Sequence, residues 1–436
     1  MRKTILYLIA LIAVLTSCSK GEKTYKIAVS QCSEDIWRDK LNDELKMGTY
    51  FHDGVELKFA SADDDDKKQI EQIHQFLNDG IDLLIVAPNQ ESTVSPAIDE
   101  VYDKGIPVIV FDRKTNSEKF TAYIGADNFE MGRLMGEYIA TQLDGKGRVL
   151  EIMGLKGSSP AIDRHNGFVE AINNYPGITI IASLQGDWTE QSAVNAVKEW
   201  RQSIGGGDID FVFGQNDRMA VGASKILSAS SPNIRYCGID GLPGEDGGIA
   251  CVLDSVLEAT YIYPTHGDEV IQLAMNILQG KPYQKDNPLM SALVTRDNAK
   301  VMMLQNEEIA RQSAYLDQLH DQSDGYLHQR NSQRMISLLL AVIVLLVTLS
   351  AAIIVISMRR RHRLERQAFS MVVNAPEVDE PTEKAANKEH PIITNVTSEE
   401  QAHLEAGADA RFLEKLRNRV QEQMGDSDFS VETLAE

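Results

Sequence analysis

Cysteine is scarce in this chain. Its 436 residues hold four, Cys18, Cys32, Cys237 and Cys251, and no two stand in C-x-x-C spacing. Without a Cys/His cluster there is no ligand set for a structural zinc. Basic residues are also short: 43 Lys and Arg face 64 Asp and Glu, a net charge of -21. That balance excludes a broad nucleic-acid-binding face, which needs basic patches. Any DNA contact must be local or lie outside these residues. No Ser/His/Asp or paired-carboxylate arrangement marks catalysis, and no kinase-type glycine motif is present. Neither an enzyme nor a bound cofactor is expected.

Long apolar runs are few as well, and the two that occur are informative. The first lies in MRKTILYLIALIAVLTSCSK. Arg2 and Lys3 precede an apolar stretch, Ile5 to Leu15, that is short for a bilayer, and small residues follow. This pattern predicts a secretory signal over residues 1–18. Leu15-Thr16-Ser17-Cys18 also resembles a lipobox, which would lipidate Cys18; an ordinary signal with a chance cysteine is the alternative. The second run is Ile336 to Met358, without a charge and long enough to cross about 30 Å of hydrocarbon. MRRRHRLER follows it, and basic residues stay on the cytoplasmic side. The expected topology puts residues 19–335 outside the inner membrane and 359–436 inside. In the oxidising compartment a Cys237–Cys251 disulfide and three free thiols both remain open.

The exported part alternates strands with helices. YKIAVSQ, VELKFASA, IDLLIVAP and IPVIVFDR read as strands, separated by helices near 35–51, 66–80 and 94–104. In the second of these helices Ile70, Ile73, Phe76 and Leu77 share a face. The rhythm resumes with helices at 128–143, 161–174, 189–203 and 217–229 between RVLEIMG, ITIIASL, IDFVFGQN and IRYCGID. Such alternation predicts an α/β fold with parallel sheets covered on both faces. About ten strands are too many for one small sheet and fit two lobes.

In open α/β sheets ligands bind beyond the C-terminal strand ends. The residues there are Ser30, Gln31, Trp37 and Arg38; Asp112 and Arg113; Arg164; Asp187 and Trp188; Asn216 and Asp217; and Asp240. Planar polar side chains suit sugar hydroxyls, and indole faces suit the C–H face of a sugar ring. Each residue alone has a plainer reading: Asp217 could cap a helix, and Trp188 could be core.

These segments resemble a family. IPVIVFDR, RHNGF (164–168), VFGQNDRMAVGA (212–223) and GIDG (238–241) stand where type 1 periplasmic binding proteins of the ribose-binding kind have their signature segments. The resemblance implies two Rossmann-like lobes over 24–300, joined by three crossovers and closing on a monosaccharide. It implies that Asp112 and Arg113 grip the sugar from the first lobe and pair with each other. Arg164, Asn216 and Asp240 would grip it from the second, with Trp37 and Trp188 sandwiching the ring. Arg38, and Tyr263 where the family often has a glutamine, complete the expected site. Two departures, the loop CSEDIWRD and that tyrosine, leave the sugar open; a pentose or a ketohexose is expected. Asp112→Ala should abolish binding and leave the fold intact.

Beyond residue 300 the chain departs from a transport protein. Residues 301–335 predict a helical stalk whose Ile309, Leu316, Leu319 and Leu327 suit a weak contact in a homodimer. After the 336–358 span, residues 359–408 read as a flexible cytoplasmic linker. His362 and His390 sit in poor surroundings for a phosphorylated helix face. In 409–436, Phe412, Leu413, Leu416 and Val420 recur at helical spacing, and Ser430 offers an N-cap. That segment resembles the opening of an AraC-type helix-turn-helix, as in sensor-regulators of gut Bacteroidetes. Its base-reading helix would follow Glu436, so DNA contact is expected only through a completed domain. A sensor that docks with a separate kinase or transporter, and a solute-capture protein for uptake, are the alternatives.

Overall fold

A computed structural model describes residues 23–204 and 207–373. The expected signal segment with Cys18 and the segment 409–436 expected to open a helix-turn-helix lie outside the described residues, as does the part of the expected linker beyond Val373. The first lobe opens with β1 (Tyr25–Gln31), α1 (Ile36–Thr49), β2 (Val55–Ser61), α2 (Asp66–Asn78), β3 (Leu83–Val86), α3 (Glu91–Asp103), β4 (Val108–Phe111) and β5 (Ala122–Ala126). The chain then crosses to the second lobe. There it forms α4 (Asn128–Gln142), β6 (Lys146–Met153), α5 (Ser159–Asn173), β7 (Gly177–Gln185), α6 (Glu190–Ile204), β8 (Phe211–Gly214), α7 (Asp217–Leu227), β9 (Arg235–Asp240), α8 (Gly248–Leu253) and β10 (Ala259–Ile262). It returns to the first lobe for α9 (Gly267–Leu278) and β11 (Asp286–Leu289), and crosses a third time into β12 (Leu293–Thr295) and α10 (Arg296–Val373).

The two sheets repeat one plan. Their orders are β11-β5-β4-β3-β1-β2 and β12-β10-β9-β8-β6-β7. Every pairing is parallel except β10 with β12, which is antiparallel. Central strands are covered on both faces, so their sequences are apolar throughout: VIVF in β4 and FVFG in β8 are wholly buried. The edge strand β2 instead carries Glu56 and Lys58 and is nowhere fully buried. A core cluster runs through both lobes, from Ile27, Ile109 and Phe111 to Phe211, Ile239 and Met275. Close helix packing in the second lobe depends on Gly132 and Gly167, since a Cβ at either would meet a backbone carbonyl of the facing helix, Arg164 O or Phe129 O, at 2.1 or 1.9 Å.

Cys32, Cys237 and Cys251 are free thiols. The stalk helix begins at Arg296, with Ala299 in the second lobe's core and Met302 and Met303 packed against it. Residues 359–373, expected as linker, continue that helix. The reason is composition: Arg, Leu, Glu, Gln, Ala and Met are all good helix formers. It is the one described helix long and apolar enough to cross a membrane.

Candidate functional site

The C-terminal ends of the two sheets face one cleft. A small, partly open cavity of about 50 Å³ lies there, lined by Asp35, Trp37, Arg38, Asp112, Arg113, Pro160, Arg164, Trp188, Asp240 and Tyr263. Eight of the nine residues expected from the sequence come together here.

The floor on the first lobe is an ionic network. Asp112 accepts from Arg38 Nη2 and from the Tyr263 hydroxyl. Arg38 also donates to Gln31 Oε1 at 3.2 Å and contacts Cys32 Sγ at 3.2 Å. Burial works to discharge this guanidinium, but Cys32, Asp112 and Asp35 outweigh it and keep it charged. Arg113 turns elsewhere: its Nη1 donates to Asn89 O at 2.8 Å and to Asn89 Oδ1 at 3.2 Å. The expected Asp112–Arg113 pair is therefore not formed. Asp112 stands just past β4 with a left-handed φ of 61°, and each of the two side chains finds its own partner.

The second lobe contributes groups held by its loops. Arg164 on α5 donates through Nε to Asn128 Oδ1 at 2.9 Å and through Nη1 to the Gln215 carbonyl. Its guanidinium carbon lies 5.5 Å from the Trp188 ring and 4.6 Å from the Tyr263 ring, both within cation–π range. Trp188 rests on Gly154, where an added Cβ would stand 2.0 Å from the indole. Its Nε1 is buried and, among the described residues, has no acceptor. The Asp240 carboxylate likewise accepts no hydrogen bond among the described residues, although Asp240 is buried. Burial first, and the negative Asp217 second, raise its pKa well above the carboxylate range.

Asp217 lies behind the site. It accepts from Thr260 Oγ1 at 2.7 Å and from Gly241 N at 2.8 Å, which fixes the turn presenting Asp240. The helix cap is its neighbour: Asn216 Oδ1 accepts from Met219 N at 2.9 Å, and Asn216 Nδ2 donates to Trp188 O at 2.9 Å. Asn216 thus does not line the cavity, because both ends of its amide are taken. It holds Trp188 in place instead. Trp37 is part of the wall. Its ring stacks with Phe111 at 6.0 Å, meets Tyr263 at 5.3 Å and lies under the Arg38 guanidinium at 4.7 Å, while Nε1 donates to Tyr263 O at 3.0 Å. Its faces are therefore largely engaged by protein groups rather than open for a sandwich with Trp188.

Sequence reasoning missed Asp35 and Pro160. Asp35 caps α1, accepting from Trp37 N at 3.0 Å and Arg38 N at 2.9 Å. Its other oxygen takes Arg218 Nη2 of the second lobe at 3.0 Å, across the cleft. The acids in CSEDIWRD were the available signal. Further ties between the lobes are Lys114 Nζ to Asp163 at 2.7 Å, Lys114 N to Ser159 Oγ at 2.7 Å and Glu91 N to Gly157 O at 3.1 Å. Three lining residues that are not glycine have positive φ: Asp112 at 61°, Trp188 at 78° and Asp240 at 135°. Such backbone costs about 1–3 kcal/mol each and gathers at functional sites.

Two like lobes meeting at a polar cleft define a binding protein of the type 1 periplasmic fold. Residues 28–282, more than half of the chain, match the family described as periplasmic binding protein domain, and the chain belongs to it. Among solved structures it is similar to the fructose-binding periplasmic domain of a hybrid two-component system, with 44% identity, a TM-score of 0.67 and coverage of 68% of this chain and 99% of that one. It is 31% identical over 220 residues to the galactofuranose-binding protein YtfQ of Escherichia coli K12, covering 48% of this chain and 69% of that protein. It is 28% identical over 302 residues to a xylitol-binding protein of Mycolicibacterium smegmatis, covering 66% and 83%.

Proposed function

We propose that this chain is a membrane-anchored sensor that binds a monosaccharide between its lobes and passes the bound state across the inner membrane to control transcription. One observation carries the binding reading. Asp240 and Trp188 line the cavity beside Arg38, Asp112, Arg113 and Arg164, and neither the Asp240 side chain nor the buried Trp188 Nε1 has a protein hydrogen-bond partner among the described residues. An acceptor, a donor and an aromatic face at one small cavity suit a polyhydroxylated ring. A ketohexose, fructose, is the first choice within the expected pentose or ketohexose class, because the solved domain of 44% identity is titled fructose-binding. The role of each residue follows its position: Asp112 and Asp240 accept from hydroxyls, the three arginines donate, and Trp188 covers the C–H face.

The sensor reading rests on the long helix. Its 336–358 segment would span the inner membrane, with the binding domain periplasmic, residues 359–436 cytoplasmic, Cys18 lipidated and two stalks paired. A helix-turn-helix completed beyond Glu436 would then read DNA. Relatives named for import favour a second reading, capture of sugar for a separate transporter or kinase. The test is thermal unfolding of the full chain in detergent against a panel of monosaccharides. A ligand at 100 times its Kd stabilises the folded state by about 2.7 kcal/mol, so fructose should raise Tm by several degrees. A panel with no stabilising monosaccharide would overturn the sugar assignment.

A further inference from the structure

The helix that forms part of the cleft wall also touches the stalk. The N-terminus of α1 supplies Asp35, Trp37 and Arg38 to the site. Its C-cap is Tyr50, about 14 residues or roughly 21 Å away along the helix at 1.5 Å per residue. The Tyr50 hydroxyl donates to Asp317 Oδ1 at 2.9 Å. Its ring stacks on the His320 imidazole, 3.7 Å between centroids and 11° between planes. Burial under the stalk and the Asp317 carboxylate push the phenol up to about 12, so at neutral pH it stays a donor.

The stalk is rooted in the other lobe. It continues from β12, which belongs to the second sheet, and Ala299, Met302 and Met303 pack there. Ser313 and His320, two turns apart, are the half-buried positions of residues 311–320, and every side chain from Asp321 to Arg330 is exposed. Tyr50 therefore grips the stalk where the stalk leaves the body. One lobe owns the root of the helix and the other holds it above the root. A rotation of one lobe against the other cannot leave both attachments unchanged.

We propose that the Tyr50–Asp317–His320 contact is the point where lobe closure is read out by the stalk: made when the lobes close on ligand and lost when they open. This rests on the monosaccharide reading of the cleft. A contact present only in the closed state adds its free energy to ligand affinity, by the logic of population shift.

The test uses the full chain in lipid nanodiscs, titrated with fructose by calorimetry. Amide hydrogen exchange is followed over residues 312–324, with and without the sugar. Tyr50→Ala should weaken fructose binding roughly 2- to 10-fold, the range expected for one aromatic pair, with little change in the Tm of sugar-free protein. Tyr50→Phe, which keeps the stack and loses the hydrogen bond, should fall between. In wild type fructose should slow exchange in the stalk segment, and in Tyr50→Ala it should not. Unchanged affinity in Tyr50→Ala, with stalk exchange indifferent to sugar in a wild type that binds it, overturns this inference alone. A wild type that binds no sugar overturns the cleft reading and this inference together.

Discussion

Removing either member of the Arg38–Asp112 pair should destabilise the protein far more than removing both. The two side chains are buried to about the same degree, each with 4% of its surface exposed. In Asp112→Asn the Arg38 guanidinium keeps only the Gln31 carbonyl, the Cys32 sulfur and the more distant Asp35. In Arg38→Met the Asp112 carboxylate keeps only the Tyr263 hydroxyl among its side-chain donors. Breaking a buried pair by removing one partner costs about 3–5 kcal/mol, because a charge is left without its counterpart, whereas replacing both can be nearly neutral. At about 2 °C per kcal/mol for a domain of this size, each single variant should lose roughly 6–10 °C in sugar-free thermal unfolding. The double variant Arg38→Met/Asp112→Asn should lose less than either single variant. The group that would grip ligand also pairs with a buried arginine, so Asp112→Ala should lower stability as well as binding. Single losses below about 1 kcal/mol, or strict additivity in the double-mutant cycle, would refute the argument.

Three further outcomes are expected. Asp240 has its pKa raised by burial and by Asp217, so it contributes stability that is full below the ordinary carboxylate pKa, about 4, and is lost as pH rises through the folded-state value. Asp240→Asn should therefore match wild type near pH 4, exceed its Tm increasingly toward neutral and alkaline pH, and still bind sugar more weakly; a pH-independent Tm difference would contradict this. Gly154→Ala places a Cβ 2.0 Å from the Trp188 ring, so it should shift tryptophan fluorescence and reduce sugar affinity at least 10-fold, the worth of about 1.4 kcal/mol, and unchanged affinity would show that the indole does not meet the ligand. A reporter fused after Arg363 should be active only as a cytoplasmic enzyme, and periplasmic activity at that fusion would overturn the proposed topology.

What could be read from sequence, and what could not, divides along physical lines. The alternation of strands and helices and the location of the cleft were legible because apolar runs covered on both faces leave a period-free signature, and parallel strands send their C-terminal ends to one edge. Residue roles within that edge were less legible. Asn216 and Asp240 are both short polar residues just after strands, yet one spends its amide on a cap and on Trp188 while the other faces the cavity. Composition cannot tell a capping group from a ligating one, since both need an exposed oxygen at a helix start. Contacts between segments far apart in the chain were closed to sequence reasoning altogether: Asp35 and Arg218 are 183 residues apart, and Tyr50 and Asp317 are 267 apart. Backbone strain gives the firmest physical marker that this edge is built for binding. An aspartate can enter the left-handed region at modest cost, so Asp112 alone would mean little. A tryptophan with φ of 78° is an outlier, and it is held by Asn216 and by a glycine with no Cβ to obstruct it. Folding alone gives no reason to place an indole there with its N–H unpaired. A ring that must be met by that face and that N–H does.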